Sequence, residues 1–466
     1  MLSVTAAETL IQSLVISLAA QDPATAIEQV PLSQAFQRIL AQPVSSPLDF
    51  PHWDNSAMDG YAIRYEDVCP EDMRSKEGNE AIVRESQGLS QNLSEGLSQG
   101  LSQGLKVIET IAAGVSPQFP LKPGEAARIF TGAILPPGAD TIVPQEATER
   151  QDDRLYVREP PARRGAFVRK QGDFYQAGSP LLAAGLRIGS ADLAVLAAAQ
   201  CYSIPVYRPL RVAIFSTGNE LVPPDYADSE DSNLKYSNLK YGDLKYGNPL
   251  PPGKIVDSNQ IALISAVQRL GAIALPWGIV PDDSLLLKKT IADILPQVDV
   301  ILSSGGVSVG DYDYVEAILE ELGATLAIRS VAVKPGKPLT IATFPHFANT
   351  PIYFGLPGNP VSSLVSFWRF VQPALEKMSG LNPLPRPYFK TGYTTQVLES
   401  DGQRETYLWG RAEWQEGALP GYWFTPARGS KSSGNLIHLS QANALAKLAV
   451  GEQRIEVGSP ISLHLL

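Results

Sequence analysis

Cysteine is nearly missing from this chain. Cys69 and Cys201 are the only two in 466 residues, too few for a disulfide framework and without the spacing of a zinc site. Histidine is as sparse. His52, His346, His438 and His464 form no HExxH or other paired spacing, which argues against a histidine-rich metal site. Basic residues are outnumbered, 38 Lys and Arg against 48 Asp and Glu, for a net charge of −10. That balance argues against a nucleic-acid-binding surface, where cations dominate. No GxxxxGK[ST] motif occurs, which excludes a P-loop nucleotidase. No uninterrupted apolar run reaches membrane-spanning length. The first residues place Glu8 among Leu10, Ile11, Leu14, Val15 and Leu18 and read as an amphipathic helix rather than a basic signal peptide. A cytoplasmic enzyme is the default expectation.

What is present is an ordinary globular composition, 44% hydrophobic and 18% charged, in a chain long enough for about three or four domains. Residues 1–50 read as helical. From 51 to 146 short extended segments such as Ala126–Thr131 and Thr141–Gln145 are punctuated by proline and glycine, the pattern of a small β domain. Residues 147–206 are mixed, with a helix at Ser190–Gln200. An α/β rhythm follows: strands at Val212–Ser216, Ala274–Ile279, Val300–Ser303, Leu339–Thr343 and Ile352–Leu356 alternate with helices at Gln260–Leu270, Leu285–Leu295, Tyr314–Leu322 and Ser362–Met378. Such alternation predicts a doubly wound parallel sheet with ligands at the carboxyl ends of its strands. From about residue 384 short strands return, including Glu405–Trp409 and Pro460–Leu465, as a C-terminal β barrel or sandwich. Two low-complexity stretches, the GLSQ repeats of 88–105 and the SNLKY repeats of 232–246, read as loop insertions.

The polar loops gather at strand ends. Leu302–Asp311 carries three glycines and three serines after a buried strand, suited to backbone and hydroxyl contacts with an anion. Ser216-Thr-Gly-Asn-Glu220 offers hydroxyls, a glycine and a carboxylate. Lys334-Pro-Gly-Lys337-Pro338 supplies two cations on a rigid turn, and Leu356-Pro-Gly-Asn-Pro360 a constrained glycine loop. Asp257, Asp282 and Asp283 precede helices, where capping explains each as well as a ligand does. Carboxylates beside a phosphate require a divalent cation between them, and oxygen-only ligands select Mg²⁺. Lysines and carboxylates without a nucleophilic cysteine or histidine point to metal-assisted chemistry at phosphorus or at an oxyanion. In the β domain, Asp54–Ala62 packs two carboxylates, an amide and a hydroxyl together, and Thr131-Gly-Ala closes a strand.

Taken together, DNSAMDGYA (Asp54–Ala62), IFTG (Ile129–Gly132), STGNEL (Ser216–Leu221), SSGGVSVG (Ser303–Gly310), KPGKP (Lys334–Pro338) and LPGNPV (Leu356–Val361) resemble the MoeA family of molybdopterin molybdenumtransferases, relatives of the gephyrin E domain. The resemblance implies a discontinuous first domain (1–48 and 147–206), a β insertion domain (49–146), an α/β molybdopterin-binding domain (207–383) and a C-terminal β barrel (384–466). It implies insertion of molybdate into the dithiolene of adenylylated molybdopterin with release of AMP, supported by Mg²⁺. It also implies a homodimer in which the β insertion of one protomer faces the α/β cleft of its partner, with molybdopterin adenylyltransferase as a candidate protein partner. Carried over by motif, the catalytic positions are Asp59, Thr131, Asp173, Glu220, Asp282, Asp313 and Lys334. The binding positions are Ser216, Thr217, Gly218, Ser303, Gly305, Gly306, Ser308, Gly310, Lys337, Pro357, Gly358 and Pro360. Glu220, Asp282 and Asp313 are the implied metal ligands. Asn219 replaces a common aspartate of the family, and Ser330 a common basic residue for which Arg329 is the neighbouring substitute. Two other readings share parts of this pattern: molybdopterin adenylyltransferase, which has the α/β unit without the insertion and the barrel, and a non-catalytic scaffold.

Overall fold

A computed structural model of the protein describes residues 1–69, 104–224, 250–306, 315–384, 389–417, 419–428 and 434–466. The chain divides into two compact units, one formed by Met1–Gln42, Ala184–Gly189 and Ser203–Leu466, the other by Pro43–Ala183 and Ser190–Tyr202.

The first unit is built on a six-stranded sheet. Its strands are β1 (Arg211–Thr217), β2 (Ile273–Val280), β3 (Val300–Ser304), β4 (Thr325–Ser330), β5 (Pro338–Thr343) and β6 (Ile352–Leu356), in the order β2-β1-β3-β6-β5-β4. The continuous apolar runs of β1, β3 and β6 are buried on both faces, as expected of central strands under helices. The helices are α1 (Ser258–Arg269), α2 (Ser284–Ile294), α3 (Val315–Glu321 as described) and α4 (Pro360–Ser366), the last running through a π turn at Phe367–Val371 into α5 (Gln372–Met378). One hydrophobic cluster packs Val212, Leu302, Phe354 and Leu356 against Leu263 and Val267 of α1 and Val365 of α4. A second packs Phe215, Ile301 and Tyr353 against Ile291 of α2 and Ile318 of α3. Two layers of helix therefore enclose the sheet.

Several expectations require correction. The sheet is mixed: β1, β2, β3 and β6 are parallel, whereas β5 runs antiparallel to both β6 and β4. β4 carried no signal because Thr325–Ser330 alternates weakly and has a half-exposed edge. Residues 1–50 are not uniformly helical. After the helix Val4–Leu14, capped by the Ser3 hydroxyl on Ala6 N–H, the strand Ile27–Pro31 pairs antiparallel with Ser203–Tyr207. The C-terminal part is a barrel rather than a sandwich. Strands Glu405–Gln415, Gly421–Pro426, Phe389–Thr394, Pro460–Leu465 and Ala444–Leu448 each pair with the next, and the last pairs back to the first.

The second unit contains a six-stranded sheet in which Gly60–Ile63 lies between Thr141–Pro144 and Glu125–Ile129. The sheet continues through Leu105–Ile111 to Arg154–Val157 and Thr148–Gln151, past residue 146 where the sequence pattern placed the edge of the β domain. Gly60 is there for space: a Cβ would lie 2.1 Å from the Val143 carbonyl oxygen. The repeat stretches 88–103 and 232–246 lie outside the described residues.

A buried ion pair ties the amino ends of the central strands together. Arg208 donates to both carboxylate oxygens of Asp299 at 2.8 and 2.7 Å, and Arg211 N–H adds a bond of 2.8 Å. The Asp299 hydrogen bonds hold the Arg208 guanidinium above its ordinary value, against burial. Asp299→Ala leaves a half-buried guanidinium without its partner and costs about 3 kcal/mol. Calorimetry is expected to show a lower first unfolding transition, whereas removing the exposed Glu399–Arg454 contact by Glu399→Ala changes stability by under about 0.5 kcal/mol.

Candidate active site

Three polar loops leave the sheet side by side. β1, β3 and β6 end level with one another, Ser216 opposite Ser304 and Ser304 opposite Leu356. Their loops approach closer than side chains permit. Gly305 has φ +92° and donates its N–H to the Leu356 carbonyl at 3.1 Å. A Cβ on it would lie 2.6 Å from the Thr217 carbonyl oxygen, and one on Gly358 would meet the Gly305 Cα at 3.6 Å. Glycine is required at 305 on both counts. Asn259, the second residue of α1, clamps the arrangement: its amide donates to the Ser304 hydroxyl at 2.5 Å and to the Gly358 carbonyl at 2.7 Å.

These loops line a cavity of about 800 Å³, large enough for a bicyclic ligand with a phosphate tail. Its walls include Thr217, Gly218, Glu220, Asp282, Gly305, Gly306, Lys334, Lys337, Pro357, Gly358 and Pro360, all singled out by the sequence, together with Asp257, Asn259 and Arg404. Ser216 and Ser303 do not line it. Both are fully buried in their strands, and the Ser303 hydroxyl is bonded to that of Tyr353. Ser308, Gly310 and Asp313 fall outside the described residues.

The acidic loops resolve into separate roles. Asp257 and Asp283 are helix caps: the first accepts from Gln260 N–H at 3.1 Å, the second from Leu285 and Leu286 N–H at 2.9 Å. Burial pushes the Asp257 carboxyl up, opposed by the Gln260 N–H. Asp282 instead turns to the neighbouring loop. It accepts from Asn219 N–H at 3.1 Å, and its own N–H donates to the Asn219 side-chain oxygen at 3.2 Å. An amide supplies that acceptor as well as a carboxylate does, which accounts for Asn219. Arg329 does not stand in for a cation at 330, because Glu316 and Glu320 of α3 hold it at 3.3 and 3.1 Å. Among the described residues no group of three His, Cys, Asp or Glu side chains is placed to hold a metal; Asp313 is not among them.

The second unit has its own polar cluster. Asp59 accepts at one oxygen from both the N–H and the hydroxyl of Thr131, at 2.8 and 2.7 Å. Lys170 joins the other candidates: its ammonium pairs with Asp54 at 2.7 Å and its N–H donates to Asp173 at 2.6 Å. Asp59 with Thr131 and Asp54 with Lys170 and Asp173 are thus two polar groups of this unit, which also exposes Trp53, Met58 and Phe174.

The chain matches three family models in order: the MoeA N-terminal region (domains I and II) over residues 2–199, a probable molybdopterin binding domain over 213–377, and the MoeA C-terminal region (domain IV) over 391–466. The chain belongs to the MoeA family. A molybdopterin molybdenumtransferase of Nostoc sp. is 47% identical over 93% of this chain and 87% of its own length. One from Synechococcus elongatus is 32% identical, covering 95% of each chain. Gephyrin of Dictyostelium discoideum is 30% identical over 94% of this chain and 59% of its own. Among solved structures, a molybdopterin biosynthesis MoeA protein from Pyrococcus horikosii superposes with a TM-score of 0.72 at 29% identity, covering 100% of this chain and 99% of that one. No described helix is long and apolar enough to cross a membrane.

Sequence reasoning weighed Asn259, beside Asp257, as a helix cap or a ligand contact and passed over Arg404. Arg404 had no signal of its own, since it reaches the cavity from the barrel and donates to the Val333 carbonyl at 3.3 Å.

The Thr131 N–H, then its hydroxyl, hold the Asp59 carboxyl below its ordinary value. The Asp59–Thr131 contact is accordingly complete above the ordinary carboxylate range and lost only as pH falls through the depressed value. Thr131→Val removes the hydroxyl and keeps the N–H. Carbon-detected NMR of the carboxyl is expected to show the Asp59 midpoint move up towards, without reaching, the ordinary value.

Proposed function

We propose that the protein inserts molybdate into the dithiolene of adenylylated molybdopterin with release of AMP. The observation that carries this reading is the single cavity at the ends of β1, β3 and β6, where glycine-rich loops, two lysines and Arg404 meet Glu220 and Asp282. Backbone N–H groups and hydroxyls at Thr217–Gly218 and in the loop from Ser304 onward bind the phosphate and orient the pterin, with Pro357, Gly358 and Pro360 shaping the opposite loop. Lys334, Lys337 and Arg404 attract the anionic groups of adenylate and molybdate; Arg404 does so as a planar fork, the lysines as point charges. The donor set fits Mg²⁺, since Glu220 and Asp282 offer only oxygen; with Asp313 they would hold the ion, which supplies neutralisation of phosphate charge.

The protein acts as a homodimer in this proposal, and Asp59, Thr131 and Asp173 of one protomer complete the cavity of the other. Support comes from the Asp59 cluster itself: the Thr131 bonds keep a carboxylate ionised and fixed at an exposed position, which a folding role does not require. Soluble pterin and molybdate are the small-molecule partners, the adenylyltransferase the candidate protein partner, and the cytoplasm the setting.

The deciding experiment incubates the protein with adenylylated molybdopterin, molybdate and Mg²⁺ and follows AMP. Release dependent on molybdate and lost with a chelator is expected; release without molybdate, or none, removes the proposal. Asp59→Asn is expected to lower the rate by about 100-fold, the scale of one electrostatic group in an active site, with circular dichroism and sedimentation unchanged. A wild-type rate for that variant would detach Asp59 from the reaction.

A further inference from the structure

Lys334 does not wait in the cavity as a free cation. It is the second residue of the two-residue strand Val333–Lys334, which pairs in parallel with Glu405 and Thr406 at the start of the long barrel strand. Its ammonium donates to Asp401 Oδ2 at 2.8 Å. Asp401 is itself fixed, because Oδ1 accepts from Gln403 N–H at 3.0 Å in a side-chain turn. Lys334, then the Gln403 N–H, hold the Asp401 carboxyl below its ordinary value, so Asp401 is ionised throughout the neutral range. Neither side chain is deeply buried, at 41% and 33% exposure, so the bond is open to exchange.

The position of the pair is what gives it consequence. Lys334 lines both the 800 Å³ cavity and a second cavity of about 520 Å³, which Asp401 lines with Glu399 and Arg454. Asp401 lines only the second. Lys334 therefore borders both spaces, and its ammonium is bonded to a carboxylate that lines the second alone. A compact ammonium has three donors but one charge. A doubly charged oxyanion approaching from the first cavity must share it with Asp401 against like-charge repulsion, or displace Asp401 from it.

We propose that Asp401 is a positioning residue that competes with the incoming oxyanion for Lys334, so that anion binding exchanges one partner of the ammonium for the other. Asp401 thereby sets the anion affinity of the site and keeps weakly held anions from occupying the lysine. The inference rests on the assignment of Lys334 to the anion made above.

Titration calorimetry of the full chain with molybdate tests it on the wild type, Asp401→Asn, Asp401→Glu, Lys334→Gln and the Asp401→Asn/Lys334→Gln double variant. Asp401→Asn is expected to tighten molybdate binding by about two- to five-fold, the range of an exposed ion pair. Asp401→Glu is expected to return affinity towards wild type, and Asp401→Asn to have no such effect when Lys334 is already glutamine. Unchanged or weaker binding by Asp401→Asn overturns the proposal. So does an equal gain in the Lys334→Gln background, which would show long-range repulsion rather than competition for the ammonium. The two assignments separate cleanly. Lys334→Gln binding as tightly as wild type removes the anion role of Lys334 and the inference with it, whereas weakened Lys334→Gln with unchanged Asp401→Asn removes the inference alone.

Discussion

The site depends on a steric constraint at Gly305. Three parallel strands end level, and their loops must lie against one another for backbone groups to face one space. The Thr217 carbonyl oxygen and hydroxyl, 2.6 and 2.9 Å from where a Cβ would be on Gly305, leave no room for a side chain there. Once the loops are that close their polar groups cannot all be paired among themselves. Asn259 binds the Ser304 hydroxyl and the Gly358 carbonyl, and Thr217, Gly218, Gly305 and Gly306 line the cavity. Burial of the strands on both faces then makes the arrangement stiff, because moving one loop would disturb cores on two sides of the sheet.

In an acidic protein a cleft suited to anions needs its cations concentrated. Here they come from the short strand at Val333–Lys334, the turn that follows it and the barrel entrance at Arg404. Several acidic side chains are engaged by the protein itself: Asp257 and Asp283 in helix caps, Asp299 with Arg208, Glu316 and Glu320 with Arg329. The charge on the whole chain therefore says little about the field inside one cleft.

Much of this was legible before any coordinates. Continuous apolar runs identified β1, β3 and β6 because central strands bury both faces, and the motifs at their ends identified most of the cavity. Legibility failed where structure depends on distant pairing. β4 is an edge strand with a weak pattern, and its antiparallel partner β5 cannot be oriented from local residues. The strand Ile27–Pro31 owes its form to Ser203–Tyr207, far along the chain. Ser216 and Ser303 belong to the right motifs, yet residue type does not reveal which way a side chain leaves a strand end. Asp282 and Asp283 show the same limit: adjacent and chemically alike, one caps a helix and the other bonds the neighbouring loop.

The parallel pairing of Val333–Lys334 with Glu405–Thr406 has a mechanical meaning. The barrel is closed, so its long strand cannot slide without breaking bonds to neighbours on either side. Grafted onto that strand, the lysine turn inherits the rigidity of a hoop rather than the looseness of a connection. Arg404 sits at the same seam. A rotation of the barrel would carry Lys334 and Arg404 together, as two teeth on one wheel, and leave the glycine loops of the sheet where they are.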